Sequence, residues 1–160
     1  MSPADSGESD RFYLDDLQVG QRFVSPSHAL DEAQIKAFAA QFDPQPFHLD
    51  EAAAKASLFG GLAASGWHTA AITMRLLVEG GAPIAGGVIG GSCEISWPQP
   101  TRPGDILTVE SEILEVRPSR SRPDRGMATM RSETRNQRGE ILQVLTAKIV
   151  VPRRSAVMNR

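Results

Sequence analysis

Residues 43–50 read Asp-Pro-Gln-Pro-Phe-His-Leu-Asp, and this stretch decides how the rest of the chain is interpreted. Its two prolines stiffen the backbone between Asp43 and His48, because each proline fixes its own φ and pushes the preceding residue towards an extended conformation. The stretch therefore predicts a rigid loop rather than a helix. A carboxylate and an imidazole presented from one rigid loop can share a water molecule and move its protons. The alternative is a helix-ending turn in which Asp43 caps and His48 packs.

Two short helices are predicted, one before this stretch and one after it. Asp31 is a suitable N-cap, and Gln34 follows at the distance that a capping box requires. Apolar residues then recur at helical spacing, namely Ile35, Phe38, Ala39 and Phe42. This first helix should end at Asp43, before the first proline. The second helix is predicted over residues 51–56, with Asp50 as its cap.

A longer helix is predicted from Ser65 to Val78, and we expect it to be buried because Arg75 is its only charged residue. Residues 12–24 indicate only a short extended lead-in. Four later runs have the composition and partial alternation of strands, and they cover residues 88–97, 106–116, 126–135 and 141–151. One buried helix packed against an antiparallel sheet, with the strands mostly in sequence order, is an α+β architecture.

The composition restricts the classes of protein to which the chain can belong. It has 160 residues, the size of one domain, and 41% of them are hydrophobic, which is enough for a packed core. The net charge of −2 gives no positive field for nucleic acid, and no apolar run approaches the roughly 20 residues that span a bilayer. We therefore expect neither a nucleic-acid nor a membrane partner.

Cys93 is the only cysteine, so no disulfide can form within the chain, and we expect a cytoplasmic protein in which Cys93 packs as a small core residue. Residues 1–11 lack the basic start and the apolar run of a signal peptide, and they are expected to form a flexible tail. Residues 153–160 are expected to form a second tail. Residues 12–152 are then a single domain.

Three blocks of sequence, in order, resemble one enzyme family. Residues 43–50 resemble the signature Asp-x-Asn-Pro-x-His-x-Asp of the MaoC-like (R)-specific enoyl-CoA hydratases, which are hotdog-fold proteins. Residues 59–66 look like the segment that leads into the family's central helix, and residues 95–107 are similar to its strand followed by Pro-Val-x-x-Gly-Asp-Thr-Leu. The resemblance covers residues 12–151. It implies a hotdog fold, in which an antiparallel sheet is wrapped around a long central helix.

Two positions depart from the family pattern. Gln45 stands where the family usually has Asn, and Ser65 stands where it usually has His, directly before the glycine that begins the central helix. Neither change removes the acid or the base. Both are expected to reshape the substrate pocket.

The resemblance implies a hydro-lyase acting on 2-enoyl thioesters. Asp43 and His48 would hold a water molecule between them, with His48 removing a proton while Asp43 orients the water and helps deliver a proton to Cα. The backbone amide of Gly66 would face the thioester oxygen, where charge develops in the transition state. Substrate-binding residues are expected to be Gln45, Phe47, Ser65 and Trp67, and further candidates for an apolar acyl slot are Leu62, Ile72 and Met74.

Coenzyme A would enter only as part of the substrate, and we expect no cofactor and no metal site. Arginines in residues 117–125 are candidates for binding its phosphates, although a solvated loop is the alternative. The partner would be an acyl-CoA or an acyl-carrier thioester, and the resemblance implies a homodimer or a larger assembly built on a dimer. Two other functions stay open, a hotdog acyl-CoA thioesterase and a non-catalytic acyl-CoA-binding protein.

Overall fold

Five antiparallel strands form one sheet in the order β1-β3-β4-β5-β2, and the computed structural model describes residues 10–154. The strands are β1 (Arg22–Ala29), β2 (Ile89–Ser96), β3 (Ile106–Pro118), β4 (Arg125–Arg135) and β5 (Ile141–Pro152). The helices are α1 (Glu32–Phe42), α2 (Pro46–Leu49), α3 (Glu51–Lys55) and α4 (Gly66–Leu76), which a π-helical turn, Leu77–Gly81, extends. The predicted tails, 1–11 and 153–160, lie mostly outside the described residues. The predicted α+β architecture with a central helix is confirmed.

Strands β3 and β4 form because their side chains alternate between core and solvent. In β4 the even-numbered residues from 126 to 134 are buried, while Thr129, Arg131 and Glu133 lie on the outer face. The inner face of β3 carries fully buried apolar side chains, namely Leu107, Val109 and Ile113. These inner faces pack beneath α4 and form the core.

The two edge strands are where the sequence-based prediction and the structure differ. β2 pairs with β5 rather than with β3, so the predicted sequential order holds only for β3, β4 and β5. The free edge of β3 is taken by β1, which leaves β2 the opposite edge of the sheet. β1 was hidden in the sequence because Pro26 interrupts it. The pairing shifts register around that proline, which an edge strand tolerates. Cys93 lies on β2 and is exposed, not a core residue.

Helix α1 begins and ends as predicted. The Asp31 side chain accepts a hydrogen bond from the Gln34 amide at 2.8 Å, and the last helical residue is Phe42. Gln34 does not complete a capping box, because its side-chain amide donates to the Ala29 carbonyl and its oxygen bonds the His28 ring. Helix α3 is capped by Asp50, also as predicted.

The prediction that the stretch after Asp43 contains no helix is wrong. Pro46–Leu49 forms the single-turn helix α2, with Pro46 in its first turn. Proline is accepted there because its missing N–H has no partner in the first turn and its fixed φ suits a helix. Gln45 stays extended, at φ −89° and ψ 142°, as expected for a residue that precedes proline. His48 is therefore presented from a rigid helical turn.

Helix α4 is buried on one side only, whereas the sequence predicts a buried helix. The residues on its covered side, His68, Thr69, Ile72, Thr73 and Leu76, are buried, and His68 stacks on Phe38 of α1. The opposite stripe is 61% exposed at Trp67, 43% at Met74 and 64% at Val78 in the turn beyond the helix. The difference arises because one sheet covers only one side of a helix. Within residues 10–154, no helix is long and apolar enough to cross a membrane.

Candidate active site

His48 is held by a backbone carbonyl that fixes its tautomer. The ring is buried on α2, and its Nδ1 lies 2.6 Å from the Ala63 oxygen. A carbonyl oxygen can only accept a hydrogen bond, so Nδ1 carries the proton. Nε2, on the other side of the ring, is therefore the atom at which His48 can take up or release a proton.

Asp43 ends helix α1 and points at that atom. Its Oδ2 lies 3.2 Å from His48 Nε2. The same oxygen accepts a hydrogen bond from the Ser65 hydroxyl at 2.7 Å, and Oδ1 accepts one from the Gln45 side-chain amide at 2.6 Å. Both carboxylate oxygens are thus bound by neighbouring side chains, and the carboxylate has one fixed orientation.

Electrostatics favour the ionised form of Asp43. Burial alone would raise its pKa, but the hydrogen bonds from Ser65 and Gln45 and the interaction with His48 outweigh that effect. The pKa of Asp43 is therefore lowered from its ordinary value. An acceptor-only carboxylate beside the histidine stabilises positive charge on the imidazole ring.

Gly66 begins α4 next to this pair. A side-chain Cβ at this position would lie 2.7 Å from Cε2 of Trp97, so only glycine fits beneath the indole ring. Its amide lies in the first turn of the helix, where backbone N–H groups have no intrahelical partner. Within residues 10–154 this amide donates to no protein acceptor, and it is free to bind an oxygen atom of a ligand.

A cleft of about 350 Å³ joins these elements. His48 and Gly66 line it, and so do Gln45 and Phe47, two of the predicted substrate-binding residues. Asp43 lies behind His48, outside the lining. The cleft therefore offers a ligand the histidine and the helix amide directly, and the carboxylate through the histidine.

The other predicted substrate-binding residues lie elsewhere. Ser65 is fully buried and its hydroxyl bonds Asp43 instead of facing the cleft. Trp67 and Met74 line a separate apolar pocket, while Leu62 and Ile72 belong to the core.

The candidate phosphate-binding arginines lie around the loop that joins β3 and β4. Arg117 pairs with Glu115, and Arg125 pairs with Asp124. These pairs compensate part of the positive charge of the loop. Binding of coenzyme A phosphates there stays a prediction.

Two residues near the cleft escaped the sequence analysis. Trp97 has the pattern of a packed strand aromatic, yet it follows β2, lines the cleft and covers Gly66. Arg102 donates to the carbonyls of Phe59, Gly61 and Leu62, and so holds the loop that carries the carbonyl bound to His48. The prolines that follow Trp97 are the one feature of the neighbouring sequence that indicates a rigid segment at the cleft. No feature of the neighbouring sequence indicates the hydrogen-bond partners of Arg102.

Comparison with known proteins assigns the family. The sequence matches the family model described as MaoC like domain over residues 16–136. The crystal structure of the MaoC-like dehydratase from Rhodospirillum rubrum aligns with a TM-score of 0.88 and 64% sequence identity, covering 89% of this chain and 98% of that chain. This likeness confirms the predicted hotdog fold.

Two curated relatives are more distant. The uncharacterized protein YdeM of Bacillus subtilis (strain 168) is 34% identical over 127 residues, which span 78% of this chain and 88% of that protein. The 3-hydroxybutyryl-CoA dehydratase of Methylorubrum extorquens is 32% identical over 116 residues, which span 69% of each protein. Together with the match to the family model and the structural likeness, these relationships show that the chain belongs to the MaoC-like dehydratase family.

Proposed function

We propose that this protein is a hydro-lyase that adds water reversibly across the double bond of a 2-enoyl thioester. The observation that carries the proposal is the 3.2 Å contact between Asp43 Oδ2 and His48 Nε2 beside a cleft that also contains the Gly66 amide. The dehydratase named among the relatives supports the same class of reaction. The thioester carrier, coenzyme A or a carrier protein, would remain outside the cleft.

His48 is the group that moves protons in this proposal. In hydration, Nε2 takes a proton from water as the water oxygen bonds Cβ, and the electrons of the double bond move to the thioester oxygen. The protonated Nε2 then gives that proton to Cα, which restores the neutral ring and yields the 3-hydroxyacyl thioester. Asp43 Oδ2 lies 3.2 Å from Nε2, so the carboxylate is in contact with the ring nitrogen that gains and loses the proton.

Asp43 orients the imidazole, and it stays ionised throughout. Its two oxygens already accept hydrogen bonds from Ser65 and Gln45, and its pKa is lowered, so it is a poor proton donor. This assignment replaces the expectation that Asp43 orients the water and helps deliver a proton to Cα. The negative charge stabilises the imidazolium that forms while His48 holds the proton.

Gly66 supplies the third function, stabilisation of the developing negative charge. Its amide points from the first turn of α4, where the helix dipole also favours an anion. One such donor is worth about 3–4 kcal/mol of transition-state stabilisation. The proposed hydration uses water, His48 as the group that moves the proton, and the Gly66 amide as the donor to the oxyanion. It needs no cofactor, and coenzyme A or a carrier protein enters only as part of the substrate.

We further propose that the protein acts as a homodimer. β2 is an open edge strand, and the exposed stripe formed by Trp67 and Met74 of α4 and Val78 of the turn beyond it has no cover within residues 10–154. An unpaired strand edge and a contiguous apolar stripe are features that a second copy of the same chain can bury.

A panel of 2-enoyl-CoA substrates tests the reaction. The absorbance of the conjugated thioester should fall on adding enzyme, and the product should be a 3-hydroxyacyl-CoA of one configuration. Asp43→Asn and His48→Gln should lower kcat by about 10²–10⁴-fold while the variants remain folded by circular dichroism. Release of free thiol without loss of conjugation would identify a thioesterase instead. Ligand binding without turnover would identify a binding protein.

A further inference from the structure

Two tryptophans separate the catalytic cleft from a larger apolar pocket. Trp97 lines the cleft of about 350 Å³, and Trp67 lines the pocket of about 490 Å³. The two indole rings meet edge to face, with centroids 5.5 Å apart and planes at 82°. The contact between the rings therefore forms a wall between the two spaces.

The pocket behind the wall suits hydrocarbon. It lies between α4 and strands β2 and β5, and most of its lining is aliphatic, including Met74, Leu77, Val88, Ile95, Leu145 and Ile149. Successive residues of α4 face different spaces, since Gly66 and Thr69 line the cleft whereas Trp67 and Ala70 line the pocket. An acyl chain that starts at the Gly66 amide would have to pass the tryptophan pair to reach the pocket.

Trp97 is fixed from behind by a buried polar network. Its indole Nε1 donates to Gln143 Oε1 at 3.0 Å, and Gln143 is fully buried. The Gln143 amide donates to Thr73 Oγ1 at 3.0 Å, and that oxygen also lies 2.6 Å from the Thr134 hydroxyl. Networks in which every member is satisfied hold their side chains in one arrangement.

Trp97 is also fixed from the front. Its ring lies so close to Gly66 that a Cβ there would be 2.7 Å from Cε2 and 2.9 Å from Cζ2. The indole therefore fits between the first turn of α4 and the Gln143 side chain, with little freedom to rotate. Trp97 is 40% exposed, and these two contacts hold the covered part of its ring in place.

We propose that Trp97, backed by Trp67, limits the acyl chain to a short one and so determines substrate specificity. The proposal rests on the thioester chemistry proposed above, but it concerns the space available to the chain and not the reaction itself. A short 2-enoyl group fits within the cleft, whereas a longer chain meets the indole pair. Burying or losing even one methylene in an apolar site changes specificity by roughly tenfold or more.

The test compares Trp97→Ala with Trp97→Phe. Phenylalanine keeps an aromatic wall and serves as the matched control, while alanine opens the way to the pocket. We expect the wild-type protein and W97F to prefer a four-carbon 2-enoyl-CoA over an eight-carbon one in kcat/KM. In W97A the ratio of the eight-carbon to the four-carbon value should rise about tenfold or more. Trp67→Ala, which opens the wall from the pocket side, should shift the ratio in the same direction.

Gln143→Met tests whether the network positions the ring. The protein contains two tryptophans, so a Trp67→Phe background leaves Trp97 as the single indole fluorophore. Loss of the Gln143 acceptor should lower the fluorescence anisotropy of Trp97 and move chain-length preference in the direction of W97A. Unchanged anisotropy would overturn the positioning role.

A wild-type protein that handles the eight-carbon substrate as well as the four-carbon one would overturn the proposal, and so would equal profiles for W97A and W97F. Calorimetric binding of saturated acyl-CoA esters distinguishes failure of the chain-length proposal from failure of the hydro-lyase proposal, because binding does not require the reaction. If no enoyl thioester is hydrated, the reaction proposal fails. The role of the tryptophan wall is then tested only by the affinities of the saturated acyl-CoA esters. Affinity should then fall with chain length in wild type and W97F but not in W97A.

Discussion

The Ser65 hydroxyl connects two functional groups. It donates to Asp43 Oδ2 at 2.7 Å and accepts from the Trp67 amide at 3.3 Å, which makes Ser65 the N-cap of α4. The carboxylate and the helix start that carries Gly66 are therefore held at a fixed separation by one buried side chain. Where the family usually has a histidine, this chain uses a smaller group that contacts the carboxylate directly.

Replacing Ser65 with alanine should move the acidic limb of the pH–rate profile to higher pH. The pKa of Asp43 is lowered because hydrogen bonds, Ser65 first among them, outweigh the opposing effect of burial. Activity that needs the ionised carboxylate is present above this pKa and is lost as pH falls through it. Without the hydroxyl the pKa rises, so S65A should lose kcat at a pH where the wild type is still active.

Asp31→Ala is the matched control for this prediction. Asp31 caps α1 as Ser65 caps α4, but it lies at the opposite end of α1 from Asp43. Both variants should be less stable to denaturant, and only S65A should shift the profile. An equal shift in both would show that lost helix capping, and not the bond to Asp43, controls the acidic limb.

Helix α4 is attached to the sheet through a buried polar contact centred on Thr73. Thr73 donates to the Thr69 carbonyl at 2.8 Å, and its oxygen is bonded by Gln143 of β5 and Thr134 of β4. These bonds fix the rotation of the helix relative to the strands. The orientation of the Gly66 amide at the start of α4 depends on that rotation.

Thr73→Val should lower the free energy of unfolding by about 1–3 kcal/mol, because it leaves buried polar partners on Gln143 and Thr134 unsatisfied. Thr108→Val is the same change at a half-buried site, where the bond to Ser27 is exposed and can be replaced by water. T108V should be near neutral in equilibrium denaturation. Equal effects of the two substitutions would show that the buried network adds no stability.

Local patterns in the sequence predicted α1, α3 and the pairing order of β3, β4 and β5, because caps, helical spacing and alternation are properties of neighbouring residues. The partnership of Asp43 with His48 followed from the same logic, since five residues separate them. Contacts between distant segments were not readable in this way. Ser65 reaches Asp43 across 22 positions, and Trp97 reaches Gln143 across 46. The edge positions of β1 and β2 also depend on contacts between distant segments, because β1 pairs with β3 and β2 pairs with β5.

Residues 10–154 leave apolar surface exposed along one side. The stripe of Trp67, Met74 and Val78 continues towards β2, where Ile89 is also exposed. Since Trp97 directly follows β2, a partner that binds this side would also support one wall of the cleft. Assembly and substrate selection are therefore expected to be coupled.

Val78→Glu should convert the proposed homodimer into a monomer, because it places a charge on the apolar surface that a second copy would bury. Val19→Glu is the matched control, since Val19 is 68% exposed, close to the 64% of Val78, but lies in the turn before β1, at the opposite edge of the sheet from β2. Analytical ultracentrifugation should give a dimer for wild type and V19E and a monomer for V78E. A monomeric wild type, or a V78E variant that stays dimeric, would place the interface elsewhere or remove it.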